Sequence, residues 1–161
     1  HDLSQQDFEA IGIQADSDIV VSDNGTIKNC IGCFGCWVKT PGVCVLKDDY
    51  KNMGEWLASC DELLVISKCV YGSYSPFVRN VWDRSIPYLL PYFTTKNDET
   101  HHWVRYPKQL IYSVYFYGKD ITENETKTAK QLVYANAKNF HASVSKVIFC
   151  NSLPDIKEAL Q

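Results

Sequence analysis

The stretch Glu62–Ser67 (ELLVIS) constrains the fold most. An almost unbroken apolar run of strand length suits a strand buried on both faces, the usual condition in a parallel sheet covered by helices. Two further runs, Gln109–Tyr117 and Ser145–Cys150, are rich in β-branched and aromatic residues, and Asp18–Ser22 reads as a shorter strand. Helical patterns fall around them. Asp49–Ser59 carries Met53, Trp56 and Leu57 at helical spacing behind an acidic start. Pro76 opens a helix through Val78, Val81 and Trp82 that Pro87 disturbs; Glu123–Ala142 is the longest helix, and a terminal one follows Pro154, favoured by Asp155 and Glu158.

Strands separated by helices imply right-handed crossovers, a parallel sheet and helices on both faces: an α/β class. In such sheets ligands sit beyond the carboxyl ends of the strands. That rule selects Lys68–Ser75 and Tyr117–Glu123 before any other consideration. Tyr92–Lys108, which holds His101, His102, Arg105 and Tyr106, reads as a long polar loop of functional character.

At 161 residues, 45% hydrophobic and 22% charged, the chain is sized and composed for a single globular domain over 1–161. A net charge of −3 argues against nucleic acid or an anionic membrane as partner. No apolar run approaches the roughly 18 to 20 residues that span a bilayer, and no charged start with an apolar stretch suggests a secretory leader. Seven cysteines, four of them within fifteen residues, fit neither the even count nor the small size of a secreted disulfide scaffold. The expectation is a reducing cytoplasmic setting.

Those four form Cys30-x2-Cys33-x2-Cys36-x7-Cys44 in the loop 30–44. Two-residue gaps let successive thiolates converge on one centre, and Gly32 and Gly35 relieve crowding and permit positive φ. Thr40-Pro41-Gly42 supplies a turn before the fourth cysteine. Ferredoxin-type 4Fe–4S sites begin with a related spacing; four thiolates also satisfy zinc, and unliganded thiols packed on a neighbouring element are the plain alternative. Cys60, Cys69 and Cys150 lie at strand edges and read as small buried hydrophobes.

The block CIGCFGCWVKTPGVCVLKDD, the later Val70-Tyr71-Gly72-Ser73-Tyr74-Ser75 and Trp82-Asp83-Arg84 together resemble the NADPH-dependent FMN reductase-like branch of the flavodoxin superfamily, which includes the iron–sulfur flavoproteins. The resemblance runs from about Cys30 to the last strand. It implies a three-layer αβα flavodoxin-like fold with a doubly wound parallel sheet of four or five strands and FMN at its carboxyl edge. The loop Val70–Ser75 then runs under the flavin ring, with Tyr71 and Tyr74 stacking on or edging the isoalloxazine and Gly72 and Ser73 offering amides. Tyr117 and Gly118 make the second ring contact, and Asp83-Arg84 falls near the family's dimer interface, where an ion pair is the plainer role. Family members open with a hydrophobic strand and a Ser/Thr-rich phosphate turn; here only Ser4 stands as a hydroxyl, capping a short helix with Asp7.

The resemblance thus implies an NAD(P)H-dependent, FMN-binding oxidoreductase that passes electrons to flavin, quinone, metal or a protein acceptor. A 4Fe–4S cluster on Cys30, Cys33, Cys36 and Cys44 would stand in relay with the flavin, and no side chain is needed as catalytic acid or base. Homodimerisation is expected on the same grounds, with Trp82–Phe93 as the surface. The alternative is a non-catalytic binding or structural domain of the same fold with a degenerate phosphate site. Adjacent His101 and His102 point apart in an extended chain, which disfavours their chelating one metal. His141, near a helix end, reads as structural. No hydrolase or triphosphatase motif is present.

Overall fold

A computed structural model describes residues 1–13 and 18–161. Three strands form a parallel sheet in the order β1-β4-β5: β1 (Glu62–Lys68), β4 (Leu110–Tyr117) and β5 (Ala142–Cys150). A separate antiparallel hairpin is made by β2 (Leu89–Lys96) and β3 (Glu99–Val104). Helices α1 (Gln5–Ile11), α2 (Gly35–Val38), α3 (Met53–Ser59), α4 (Pro76–Arg84), α5 (Glu123–Asn139) and α6 (Leu153–Leu160) complete the elements, with a 3-10 turn over Ile86–Tyr88.

The central strand β4 is buried on both faces because most of its side chains on either face are apolar. Tyr112, Val114 and Phe116 of β4 and Val65 of β1 turn to the side covered by α4 and α5, through Phe77, Val78, Ala129 and Val133. Ile66, Tyr115 and Cys150 turn to the other side, against Ile11 of α1 and Ile156 of α6. Strand β5 keeps this pattern only through an irregularity. The register jumps from Tyr112–Val144 to Ser113–Lys146, so Val144 and then Val147 and Phe149 reach the same cluster. One extra residue reverses which parity of side chain faces the core.

The helix ends follow local chemistry. Ser75 caps α4 with Pro76 at its first turn, and Thr122 forms a capping box with Glu125 at α5. Ser152 and Asp155 do the same at α6. Ser4 caps α1 as read from the sequence.

Several expectations are corrected. Asp18–Ser22 is irregular chain: the Ser22 carbonyl accepts from the Tyr50 hydroxyl at 2.7 Å, so part of its backbone is satisfied by a side chain and not by a ladder. Among the described residues the parallel sheet therefore has three strands, not four or five. The expected loop Tyr92–Lys108 is mostly the β2–β3 hairpin. Its turn residues Asn97 and Asp98 both adopt positive φ, 53° and 62°, the left-handed pair that joins two strands tightly. Helix α3 starts at Met53 rather than Asp49, and α5 ends at Asn139 rather than Ala142. No helix among the described residues is long and apolar enough to cross a membrane.

Candidate functional site

Two loops meet at the carboxyl end of the sheet. After β1, the Cys69 amide donates to the Tyr117 carbonyl at 2.8 Å, and after β4 the Gly118 amide donates to the Cys150 carbonyl at 3.0 Å. Val70 and Ser73 exchange two backbone hydrogen bonds of 2.9 and 3.0 Å around Tyr71 and Gly72, which both have positive φ (52° and 71°). Glycine is required at the second position: a Cβ there would lie 2.9 Å from Thr128 Cβ and 3.0 Å from the Glu125 carbonyl oxygen. At the first, a tyrosine holds the left-handed conformation and projects with 89% of its surface exposed. A bulky residue in that region costs on the order of 1 kcal/mol and gains no burial here.

The loop's other tyrosine goes inward. Tyr74 is 1% exposed, stacks on Phe116 at 5.2 Å and shares a 2.6 Å hydroxyl–hydroxyl hydrogen bond with Tyr112. Burial pushes its phenol up to about 12, against the hydrogen bonds to Tyr112 and Asn136. In this conformation Tyr74 is core, not a ring platform at the surface. Tyr112→Phe should cost about 1–2 kcal/mol by leaving the buried Tyr74 hydroxyl with only the long 3.5 Å bond from Asn136; urea melts showing no loss would mean that water reaches it. Ser75 is likewise internal: its amide donates to Ser67 Oγ at 2.9 Å and its own Oγ accepts from the Val78 amide. Tyr117 donates to Asp2 at 3.1 Å, and its phenol is raised by burial and then by that carboxylate. Ser4 is exposed, with Oγ donating to the Asp7 carboxylate at 2.6 Å and accepting from the Asp7 amide at 3.1 Å.

The cysteine loop is the second feature. Cys30 and Cys33 are exposed, Cys44 is half-buried, and Cys36 is buried on α2. Positive φ falls at Gly32 (63°) and Phe34 (54°); Gly35 serves instead by smallness, since its Cβ would lie 2.7 Å from Val45 Cγ1. Thr40–Val43 closes as the expected turn, with the Val43 amide donating to the Thr40 carbonyl at 2.9 Å. Burial first, and then the neighbouring Cys44, push the Cys36 thiol up to about 11, with Cys30 and Cys33 adding to the effect. Among the described residues no three His, Cys, Asp or Glu side chains are drawn together at metal-holding positions.

What fastens this loop was not singled out from the sequence. Arg84, fully buried on α4, donates through Nη1 and Nη2 to both oxygens of Asp48 at 2.6 and 2.7 Å, and through Nη1 to the Lys28 carbonyl at 2.7 Å. The Lys28 amide donates to the same carboxylate at 3.0 Å, and Cys44 lies beside the guanidinium. Lys28 precedes the first cysteine and Asp48 follows the last. One bidentate pair therefore closes the base of the whole loop. The plain ion-pair reading of Arg84 holds, with Asp48 as its partner; the tandem of acidic residues after the fourth cysteine was the available signal.

The hairpin packs on the same loop. Trp37 donates to the Leu89 carbonyl at 3.0 Å and lies 5.0 Å from the His102 ring. His101 and His102 do point apart: His101 is buried, between Asn139 and Glu99, while His102 meets Trp37 and the Leu90 carbonyl. Within Trp82–Phe93, Pro87, Tyr88 and Leu89 are buried, and of its apolar and aromatic residues only Tyr92 and Phe93 are widely exposed. Cys60, Cys69 and Cys150 each pack against a hydrophobic cluster. No protein-family model matches the chain, and no curated protein is significantly similar to it.

Proposed function

We propose that this chain is a flavodoxin-like oxidoreductase that holds the ring of FMN between the Val70–Ser75 and Tyr117–Gly118 loops. Tyr71 carries the reading: an exposed aromatic kept in a costly left-handed conformation, at the carboxyl edge of a parallel sheet, has a purpose other than packing. Helices on both faces of the sheet support the three-layer αβα arrangement that the resemblance implies. Bound flavin would accept hydride from NAD(P)H and pass electrons to a small-molecule or protein acceptor in the cytoplasm, in a homodimer.

The residues fit the two ends of FMN unequally. Tyr71 and the neighbouring loop suit the ring. At α1 the one hydroxyl, Ser4, is engaged with Asp7, so the phosphate end has no hydroxyl-rich cradle there. That observation favours a second reading, a domain of this fold that binds no flavin. For the cysteines, what supports a 4Fe–4S cluster or zinc is the spacing Cys30-x2-Cys33-x2-Cys36-x7-Cys44 on one loop whose base Arg84 and Asp48 close.

The deciding measurement is the visible spectrum of protein purified without oxygen, followed by titration with FMN. Flavin bands support the oxidoreductase; a broad brown shoulder bleached by dithionite adds the cluster. A colourless protein that takes up no FMN would sink the reading. Tyr71→Gly should raise stability by about 1 kcal/mol while weakening FMN binding roughly tenfold. A gain in stability with unchanged affinity would remove Tyr71 from the site.

A further inference from the structure

At the other end of the sheet, the amino ends of β4 and β5, the β2–β3 hairpin and the last turn of α5 line an open cleft of about 460 Å³. Its size is that of a small-molecule site. Its lining carries three lysines, Lys96, Lys108 and Lys138, with His101 and His141, against a single carboxylate, Glu99, in a chain whose net charge is −3. Glu99, whose side chain is half exposed, pairs with two of these groups. It accepts from Lys138 Nζ at 2.7 and 2.9 Å, and lies 3.1 Å from His101 Nε2. Lys108 pairs with Asp61 at 2.9 Å, but that aspartate is 94% exposed, so the pairing is weak. Lys96 makes no ion pair among the described residues.

We propose that this cavity binds a small phosphate monoester, with Glu99 holding the place of the ligand's negative charge when it is absent. Lysine ammonium groups suit a compact anion, and no guanidinium fork lines the cleft to match a planar carboxylate. A tetrahedral oxyanion with several acceptor oxygens is the better complement. Tyr106 and Pro107 supply an apolar wall for the body of the ester. The wall also borders the cysteine loop, because a Cβ at Gly42 would lie 3.6 Å from the Tyr106 hydroxyl. None of this depends on flavin, since the cavity lies at the opposite end of the strands.

The test is a titration of isotope-labelled protein with phenyl phosphate, inorganic phosphate and benzoate, followed by amide and histidine-ring resonances. Saturable shifts at Glu99–His101 and Lys138–Ala142 are expected, with phenyl phosphate bound about tenfold more tightly than benzoate. Glu99→Gln should tighten binding about threefold or more by removing the competing carboxylate, and Lys96→Gln should weaken it about threefold. Lys96 is exposed, so its replacement leaves the fold intact and keeps the test decisive. Shifts absent from these residues, or spread equally over Lys127 and Lys130 on the outer face of α5, would overturn the proposal. So would weaker binding in Glu99→Gln.

Discussion

Arg84→Ala is expected to lower the stability of this protein by about 3–5 kcal/mol, the range for removing one partner of a buried, hydrogen-bonded ion pair. The Arg84 side chain is 0% and Asp48 3% exposed, so neither charge has recourse to water. The loss is asymmetric: without Arg84, Asp48 keeps its desolvation cost and its two remaining amide donors, from Lys28 and Tyr50. Against a typical domain stability of about 5–15 kcal/mol this is a large fraction, and it falls on the base of the cysteine loop. Arg84→Lys should recover only part, because an ammonium cannot donate to both carboxylate oxygens and the Lys28 carbonyl in the same plane. Urea denaturation measures both variants; a loss below about 1 kcal/mol for Arg84→Ala would mean that water enters beside Asp48.

The same pair sets an acid limit. Hydrogen bonding from Arg84 outweighs burial and holds the Asp48 carboxyl down at about 2. A folded-state value below the unfolded one, about 3.9, contributes stability that is complete above the unfolded value and vanishes as pH falls through the folded one. The shift corresponds to about 2–3 kcal/mol, lost between about pH 4 and pH 2. Asp48→Asn should be less stable at neutral pH and show a flatter stability profile across that window. An equally steep profile would assign the acid sensitivity to other carboxylates.

Gly54→Ala is expected to cost about 2–3 kcal/mol, although alanine is the better helix former by about 1 kcal/mol. Gly54 sits in the first turn of α3, buried where three segments converge. An added Cβ would lie 2.9 Å from the Gly42 carbonyl oxygen, 3.0 Å from the Pro87 carbonyl carbon and 3.0 Å from the Tyr88 amide nitrogen. All three are backbone atoms, so no rotamer change relieves the contact, and either the cysteine loop or the 3-10 turn must move. The steric cost exceeds the propensity gain. Thermal melts of Gly54→Ala settle the balance, and a higher melting temperature would show that the three segments yield freely. The variant should also loosen the Thr40–Val43 turn, measurable as faster labelling of Cys36 by a thiol reagent.

Much of the secondary structure was legible because local pattern and final environment agree. The run Leu63–Ile66 has no polar position, and Val65 and Ile66 within it are buried on opposite faces of the sheet, a condition that its hydrophobicity declares without knowledge of its neighbours. Pro76, Ser4 and Asp155 mark helix starts by bonds spanning only a few residues. The hairpin was legible in principle: Asn97-Asp98 between two β-rich runs is a turn signal, outweighed in the sequence reading by the polarity of the flanking residues. The spacing of the four cysteines and the position of Val70–Ser75 at a strand end were likewise open to inspection.

The sequence by itself determined the alternation of strand and helix, their caps and turns, and which segments carry thiols and strand-end loops, because each depends on contacts within a few residues. Tertiary structure alone decided that Tyr71 faces out while Tyr74 turns in, that Asp18–Ser22 forgoes a ladder for the Tyr50 hydroxyl, and that Arg84 joins Lys28 to Asp48 across 56 and 36 residues. Those outcomes depend on which distant group supplies the missing hydrogen bond or fills the facing space. Close packing and the cost of an unpaired buried polar atom fix that choice only when the whole chain is assembled.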